Sequence, residues 1–319
     1  MLVPLIRTLQ AQMPEAKLTW IISKPAYFLV EGMEGVEFIV IDKPKSLSDY
    51  WQFRQKMRSR HFDVLLATQA SLRTNLLYPL IPADRKIGYD KYRGNDLHGL
   101  FVHERIEPAY VHTLVGFLQF SKPLGIAPQQ VLWNMPLEAS DYAFADAHLP
   151  KQGTILIVNP AASKPERSWL LERYIAVLKL AQARWKLQIV LTGGPGTQDA
   201  QMGQAIAQAL PVTNLIGKTK PKQLLAVISR AEAVLCPDTG PSHMAAAMNT
   251  PVIALHAVTN PLISGPYTCP DLVVNAYSAA TQKILGLTEA PWGTQVHKPG
   301  AMALIEVDAV MEKLAAVFG

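Results

Sequence analysis

Little in this chain marks it as secreted, metal-binding or membrane-spanning. It has two cysteines in 319 residues, too few for a disulfide framework or, by themselves, for a metal site. Cys236 and Cys269 both sit in apolar or proline-flanked contexts and read as buried free thiols. No uninterrupted apolar stretch approaches the ~20 residues of a membrane span. The first nine residues carry one arginine and no signal-peptide cleavage pattern. Aromatic residues are 8% of the chain, without the aromatic–basic interleaving of RNA-binding sheets, which argues against nucleic acid. The G-x-G-x-x-G dinucleotide fingerprint and the P-loop G-K-[ST] are absent, as are an acidic D-x-D metal triplet, internal repeats and low-complexity tracts.

What is present is an apolar, mildly basic chain. Hydrophobic residues are 49% and charged residues 17%, the balance of a globular protein with apolar material for two cores. The length suggests two domains, and the prolines punctuate apolar runs. A formal charge of +5 and pI near 9.1 favour anionic partners such as phosphosugars, nucleotides or lipid headgroups, or serve solubility.

Strands alternate with helices, which predicts an α/β chain with parallel, doubly wound sheets. In the first half, residues 3–13 read as a helix, and 17–23, 37–42, 63–68 and 85–89 as strands. Residues 47–60 form a helix with a basic end (Arg54, Lys56, Arg58, Arg60), a solvated face or a binding patch. Residues 71–80 read as a further helix, and 111–120 as an amphipathic one with His112 near its start. The polar stretch 89–103 is a long loop in which Lys91, Arg93 and His98 either meet an anionic acceptor or are merely solvated. Residues 123–136 form a linker.

In the second half the strongly apolar 154–159 is a central strand. It opens onto a small, basic loop with Ser163, Lys164, Arg167, Ser168 and Trp169. Two cations and a hydroxyl at a strand-to-helix loop suit a diphosphate; alternatively Ser168 caps the helix and the cations are solvated. Residues 187–192 form the next strand, ending in a glycine-rich loop with Asp199.

The chain is organised around residues 233–261, AVLCPDTGPSHMAAAMNTPVIALHAVTNP: strand, tight turn, helix, strand, loop. The turn holds Asp238, Thr239 and Gly240 and opens a helix with Pro241 near its first position. A helix N-terminus offers unpaired N–H groups and a partial positive charge, a ready anion site. Thr239 and Ser242 add hydroxyls, Gly240 allows close approach, and His243 adds a ring nitrogen. Asp238, at the carboxyl end of a strand where such sheets bind ligands, either accepts hydrogen bonds from a ribose or caps the helix.

The run D-T-G-P-S-H-M-A-A-A, followed by T-P-V-I-A-L-H-A-V-T-N-P, closely resembles the signature of glycosyltransferase family 9, the bacterial ADP-heptose:lipopolysaccharide heptosyltransferases. The resemblance implies a GT-B fold, two Rossmann-like doubly wound domains facing a cleft. Residues 1–150 would bind the acceptor and 151–300 the nucleotide sugar, with a terminal helix over 301–319 crossing back to the first domain. In the family the D-T-G-x-x-H turn binds the diphosphate and ribose. Arg167 and Trp169 match the family's basic-x-Trp loop, Ser163 stands where relatives carry a hydroxyl, and Thr219 lies in the loop that packs on the base. The implied reaction is inverting, metal-independent transfer from an ADP-sugar to the lipopolysaccharide core, without a cofactor. It would be carried out by a cytoplasmic enzyme in peripheral contact with the inner membrane.

Two departures stand out. The first strand and the I-G-D-type loop carrying the family's aspartate base have no counterpart, roughly 15 residues for a strand and its loops. Gly196 stands where heptosyltransferases tend to carry a ribose-binding glutamate, with Asp199 the nearest acid. A non-catalytic nucleotide-sugar-binding protein is the alternative reading. A Rossmann oxidoreductase is disfavoured by the missing fingerprint.

Overall fold

A computed structural model describes residues 1–127 and 130–319. Residues 128 and 129 of the expected linker lie outside the described residues. The chain divides into two units, Met1–Trp133 and Asn134–Gly319. The sequence places the boundary near residue 150. The observed boundary is earlier because the helix over 139–148 buries Ala145 in the second unit's core.

The first unit opens on a helix, as the sequence predicts. Its helices are α1 (Val3–Gln12), α2 (Lys24–Val30), α3 (Leu47–Met57), α4 (Leu72–Asn75) and α5 (Thr113–Leu118). Its strands are β1 (Leu18–Ser23), β2 (Val36–Ile41), β3 (Phe62–Leu66), β4 (Ala83–Gly88) and β5 (Glu104–Arg105). All pairings are parallel, but in two separate ladders, β1-β2 and β3-β4-β5. Helix α3 starts at a capping box: Ser46 Oγ accepts from Asp49 N and Asp49 Oδ2 accepts from Ser46 N, which satisfies two helix-end donors. The helix expected over 71–80 instead breaks into α4 and a 3-10 turn, Tyr78–Leu80. Pro79 lies in that turn and cannot donate to a continuing helix.

The loop over 89–103 is held from within. Buried Asp90 accepts from Tyr92 N at 2.8 Å and pairs with Arg93. Arg93 also donates to Gln119 Oε1 and the Glu107 carbonyl. His98 is fully buried; its Nε2 accepts from Tyr89 N and its Nδ1 bonds Asn75 Oδ1 at 2.8 Å. Burial, and then the charge of Arg105, lowers the His98 pKa and keeps the ring neutral. Arg93 and His98 therefore tie the loop together, and of the three candidates only Lys91 is exposed. His112 caps α5 by accepting from Leu114 N.

The second unit has helices α6 (Ala139–His148), α7 (Leu171–Trp185), α8 (Thr197–Ala209), α9 (Pro221–Ser229), α10 (Gly240–Ala247), α11 (Pro261–Ser264), α12 (Tyr277–Ala280) and α13 (Val307–Phe318). Its strands are β6 (Ile155–Val158), β7 (Gln188–Leu191), β8 (Thr213–Asn214), β9 (Ala233–Pro237), β10 (Val252–His256) and β11 (Val274–Asn275). They form one parallel sheet in the order β11-β10-β9-β6-β7-β8. Central strands β6, β9 and β10 are buried at every residue, as apolar runs covered on both faces must be. Leu156 and Val158 of β6 face a core with Tyr174, Val177 and Leu178 of α7. Ile155 and Ile157 face the other way, onto Leu224 to Ile228 of α9 and Ala245 of α10, the period-two alternation of a strand.

Helix α13 joins the first of these cores. Val310 and Leu314 are fully buried there, and Phe318 packs against Trp185 with ring centroids 5.9 Å apart. Its buried stripe thus packs into the core of the second unit. Among the described residues no helix is long and apolar enough to cross a membrane.

Candidate functional site in the second unit

The strand order locates the site. From β6 the chain winds outward through β7 and β8, then returns to the other side of β6 at β9 and winds through β10 and β11. The winding reverses between β6 and β9, and the crevice beyond the carboxyl ends of such strands is where open α/β sheets hold ligands. The loop after β6 and the turn after β9 are the two stretches singled out in the sequence.

They meet. Arg167, in a 3-10 turn Pro165–Arg167, places Nη1 3.8 Å from Asp238 Oδ2. Its Nη2 donates to Gln295 Oε1 at 3.0 Å. Its Nε–H is buried without a hydrogen-bond partner among the described residues, an unused donor of the kind a phosphate oxygen satisfies. His243, one turn into α10, sets Nε2 3.9 Å from Asp238 Oδ1. Asp238 thus stands between a guanidinium and an imidazole.

The same carboxylate is anchored from below. Oδ2 accepts from Thr259 Oγ1 at 2.7 Å and from Ser264 Oγ at 3.2 Å. Thr259 Oγ1 lies 3.2 Å from Nδ1 of His256, the last residue of β10 and fully buried. Because the threonine proton goes to Asp238, that ring nitrogen carries the proton of the second bond. His256 Nε2 is then a bare acceptor, buried and unpartnered among the described residues. Burial lowers the His256 pKa more than the Asp238 charge raises it, so the ring is neutral. The cap reading of Asp238 does not hold: the residue at the N-cap of α10 is Thr239. The Asp238 carboxylate is committed to Thr259 and Ser264, with Arg167 and His243 alongside.

The loop after β6 is closed by Ser168, whose Oγ accepts from Ala162 N at 2.9 Å and Gln198 Nε2 at 2.8 Å. Ser168 is therefore a loop clamp; the cap position of α7 is Leu170. Trp169 is buried and donates from Nε1 to the Ile305 carbonyl at 3.1 Å, fixing the loop to the segment before α13. Ser163 and Lys164 are exposed. Residues 291–300 form a strap: His297 Nδ1 lies 3.1 Å from Glu166 Oε1, and Tyr277 hydroxyl donates to the Thr294 carbonyl.

Gly240 begins α10, and a methyl group placed on it would meet nothing within 4 Å. The space over the helix N-terminus is open, and its first N–H groups lack intrahelical acceptors. Thr239 Oγ1 turns back to the Pro237 carbonyl at 3.4 Å. Ser242 differs from expectation: it is fully buried and its hydroxyl has no partner among the described residues. Thr219 lies in the turn between β8 and α9, separated from β9 by β6 and β7. The structure thus brings together Arg167, Asp238 and His243 beside Thr239 and Gly240, while Thr219 lies in the turn after β8. Sequence reasoning missed His256, Ser264 and Gln295 as supporting residues. The T-N-P run carried a signal for Thr259; a histidine ending an apolar strand carried none.

Residues 50–286 match the family model for glycosyltransferase family 9 (heptosyltransferase). The chain is 32% identical, over 97% of its length and 90% of the relative's, to the lipopolysaccharide core heptosyltransferase OpsX of Haemophilus influenzae. Its fold is shared with a glycosyltransferase family 9 structure from Veillonella parvula (TM-score 0.78, 18% identity, 99% of this chain and 92% of that one). It is also shared with the E. coli heptosyltransferase WaaC with ADP (TM-score 0.73, 19% identity, 99% and 94%). That is the two-domain GT-B fold the sequence implies. With the family model spanning most of the chain and the relative matching nearly all of it, the chain belongs to glycosyltransferase family 9.

Proposed function

We propose that this chain transfers a heptose from an ADP-sugar to the lipopolysaccharide core, with the diphosphate held at the β6–β9 switch point. One observation carries the reading: Arg167 presents an unused buried donor beside Asp238, next to the open N-terminus of α10. A guanidinium and a helix N-terminus in one crevice suit two adjacent phosphates. The relatives support the sugar and the acceptor, being a lipopolysaccharide core heptosyltransferase and a heptosyltransferase with ADP.

In the reaction an acceptor hydroxyl attacks the anomeric carbon opposite the leaving group. The bond from that carbon to the β-phosphate oxygen breaks, ADP leaves with the electron pair, and the hydroxyl proton is released to solvent water. Charge grows on the diphosphate as the bond opens. Arg167, the α10 N–H groups and exposed Lys164 stabilise it there, which lowers the barrier electrostatically. Asp238 positions: it draws Arg167 while it receives Thr259 and Ser264. Ser163 and Thr239 are further donors toward the diphosphate. Thr219 belongs to the base-binding side in this reading, and His243 to the phosphate or ribose. The acceptor ties the work to the inner face of the inner membrane, through peripheral contact.

The test is turnover of ADP-heptose on a truncated lipopolysaccharide acceptor, run beside ADP titration. Transfer lost in Arg167→Ala supports the reading. ADP binding without transfer selects the non-catalytic nucleotide-sugar-binding alternative, and no ADP binding overturns both.

A further inference from the structure

The first unit carries an apolar face that its own core does not use. In α3, Leu47, Trp51 and Arg54, with Arg58 at the C-cap, fall at helical spacing on one side, while Phe53 and Met57 bury the other. Leu47 is 88% and Trp51 62% exposed. Tyr50 hydroxyl donates to the Arg73 carbonyl at 3.2 Å and joins α3 to α4, where Leu72 is 52% exposed. Helix α4 is joined in turn to the loop over 95–100. Leu72 N donates to Asp96 Oδ2 at 2.9 Å, and Asn75 Nδ2 donates to the carbonyls of Asn95 and Asp96. On that loop Leu97 is 67% and Leu100 76% exposed. Asp96 and Leu97 both adopt left-handed backbone, with φ of 52° and 61°, which residues with a Cβ rarely do. The bonds from Asn75 and Leu72 hold this conformation, and its result is a leucine standing in solvent at the loop tip.

The charge on this face is predominantly positive. Arg54, Arg58 and Arg73 are exposed on it, with Lys43 and Lys45 in the segment leading into α3. Against these cations stand Asp42, Asp49, which accepts from Lys45 N and Ser46 N, and Asp96, which accepts from Leu72 N, so the cations are in excess. Contiguous exposed apolar residues on a water-facing surface mark a contact. A tryptophan and leucines ringed by cations match a layer that is apolar inside and anionic at its surface, where indole rings sit at headgroup depth and each cation gains from the surface potential.

We propose that α3, α4 and the loop over 95–100 form the surface by which this chain docks on an anionic lipid bilayer, with Leu47, Trp51 and Leu97 entering the headgroup boundary. It deepens the peripheral membrane contact proposed above and rests on that reading; the ADP site lies in the other unit, so the two can be tested apart.

The experiment is co-sedimentation of the full chain with vesicles of phosphatidylcholine alone and of phosphatidylcholine with phosphatidylglycerol. The chains compared are wild type, Leu47→Ser/Trp51→Ser and Arg54→Glu/Arg73→Glu, with ADP affinity and melting temperature measured on each. The expected result is binding to the phosphatidylglycerol vesicles that weakens as salt rises and falls about tenfold in either double variant, with ADP affinity unchanged. Equal binding to both vesicle types, no binding to either, or variants that bind as wild type would each overturn the proposal. Loss of ADP binding in wild type overturns the transfer reading and leaves the docking result standing.

Discussion

Arg167 Nη1 lies 3.8 Å from Asp238 Oδ2, the guanidinium coming from the loop after β6 and the carboxylate from the turn after β9. The distance is long for a stabilising ion pair, and partly exposed pairs contribute little in any case. What the relationship does is orient. Gln295 holds one guanidinium nitrogen, Asp238 draws another, and Nε–H is left unused. Replacing Arg167 by lysine keeps the charge and loses the fork. The expected outcome is a fall of about tenfold or more in kcat/KM for the ADP-sugar, with melting temperature within a degree or two of wild type. Steady-state kinetics checks it, and a lysine enzyme equal to wild type would show that the fork is not used.

Gly240 is expected to be free of any folding requirement. An added methyl meets nothing, and alanine favours a helix by about 1 kcal/mol over glycine in helix interiors. Gly240→Ala should therefore melt no lower than wild type yet bind ADP more weakly, because the methyl occupies the approach to the α10 N–H groups. Calorimetric titration and thermal melting on the same sample separate the two effects. Unchanged affinity would mean that no ligand comes close to this helix end.

His256 should act on Asp238 through Thr259. Asparagine can place an N–H where Nδ1–H stands, and phenylalanine cannot. His256→Asn is expected to keep most of the ADP affinity and His256→Phe to lose about fivefold to tenfold, the worth of one hydrogen bond to a charged chain. Equal affinities in the two variants would contradict this. The ring also sets a pH dependence. Its pKa is lowered in the folded chain by burial, so the unfolded chain binds the proton first. Stability is then fully present above about pH 6.5, the ordinary histidine value, and declines as pH falls below it. His98 adds a component of the same sign from the first unit. Melting curves between pH 7 and pH 5 should be flatter for His256→Asn than for wild type.

Leu314 tests the attachment of α13. It is fully buried between α13 and the sheet, and a buried leucine-to-alanine change costs about 2–5 kcal/mol. The second unit should unfold at markedly lower denaturant in Leu314→Ala. A small effect, below about 1 kcal/mol, would place the helix elsewhere.

The parts legible in the sequence are those where local chemistry and fold agree. The central strands of the second unit, β6, β9 and β10, are short apolar runs between turn residues, and Arg167 and Asp238 lie in loops whose composition announces an anion. The parts that were not legible depend on long-range contacts. Arg93 and His98 look like surface candidates in a polar loop, but Asp90 and Asn75 consume them. Ser242 looks like a donor at a helix start, yet its side chain faces the interior. Leu47 and Trp51 belong to a helix read by its charges, and only the packing of Phe53 and Met57 shows which face they share. The unit boundary moved because α6 packs on α9, a contact no local pattern encodes.

The most direct measurement is calorimetric titration of ADP into wild type and Arg167→Ala at one pH and salt concentration. Saturable, one-site binding is expected in wild type, with a loss of affinity of tenfold or more, roughly 1.4 kcal/mol, in the variant. Equal affinity in the two proteins would contradict it, since no diphosphate could then be resting on that guanidinium.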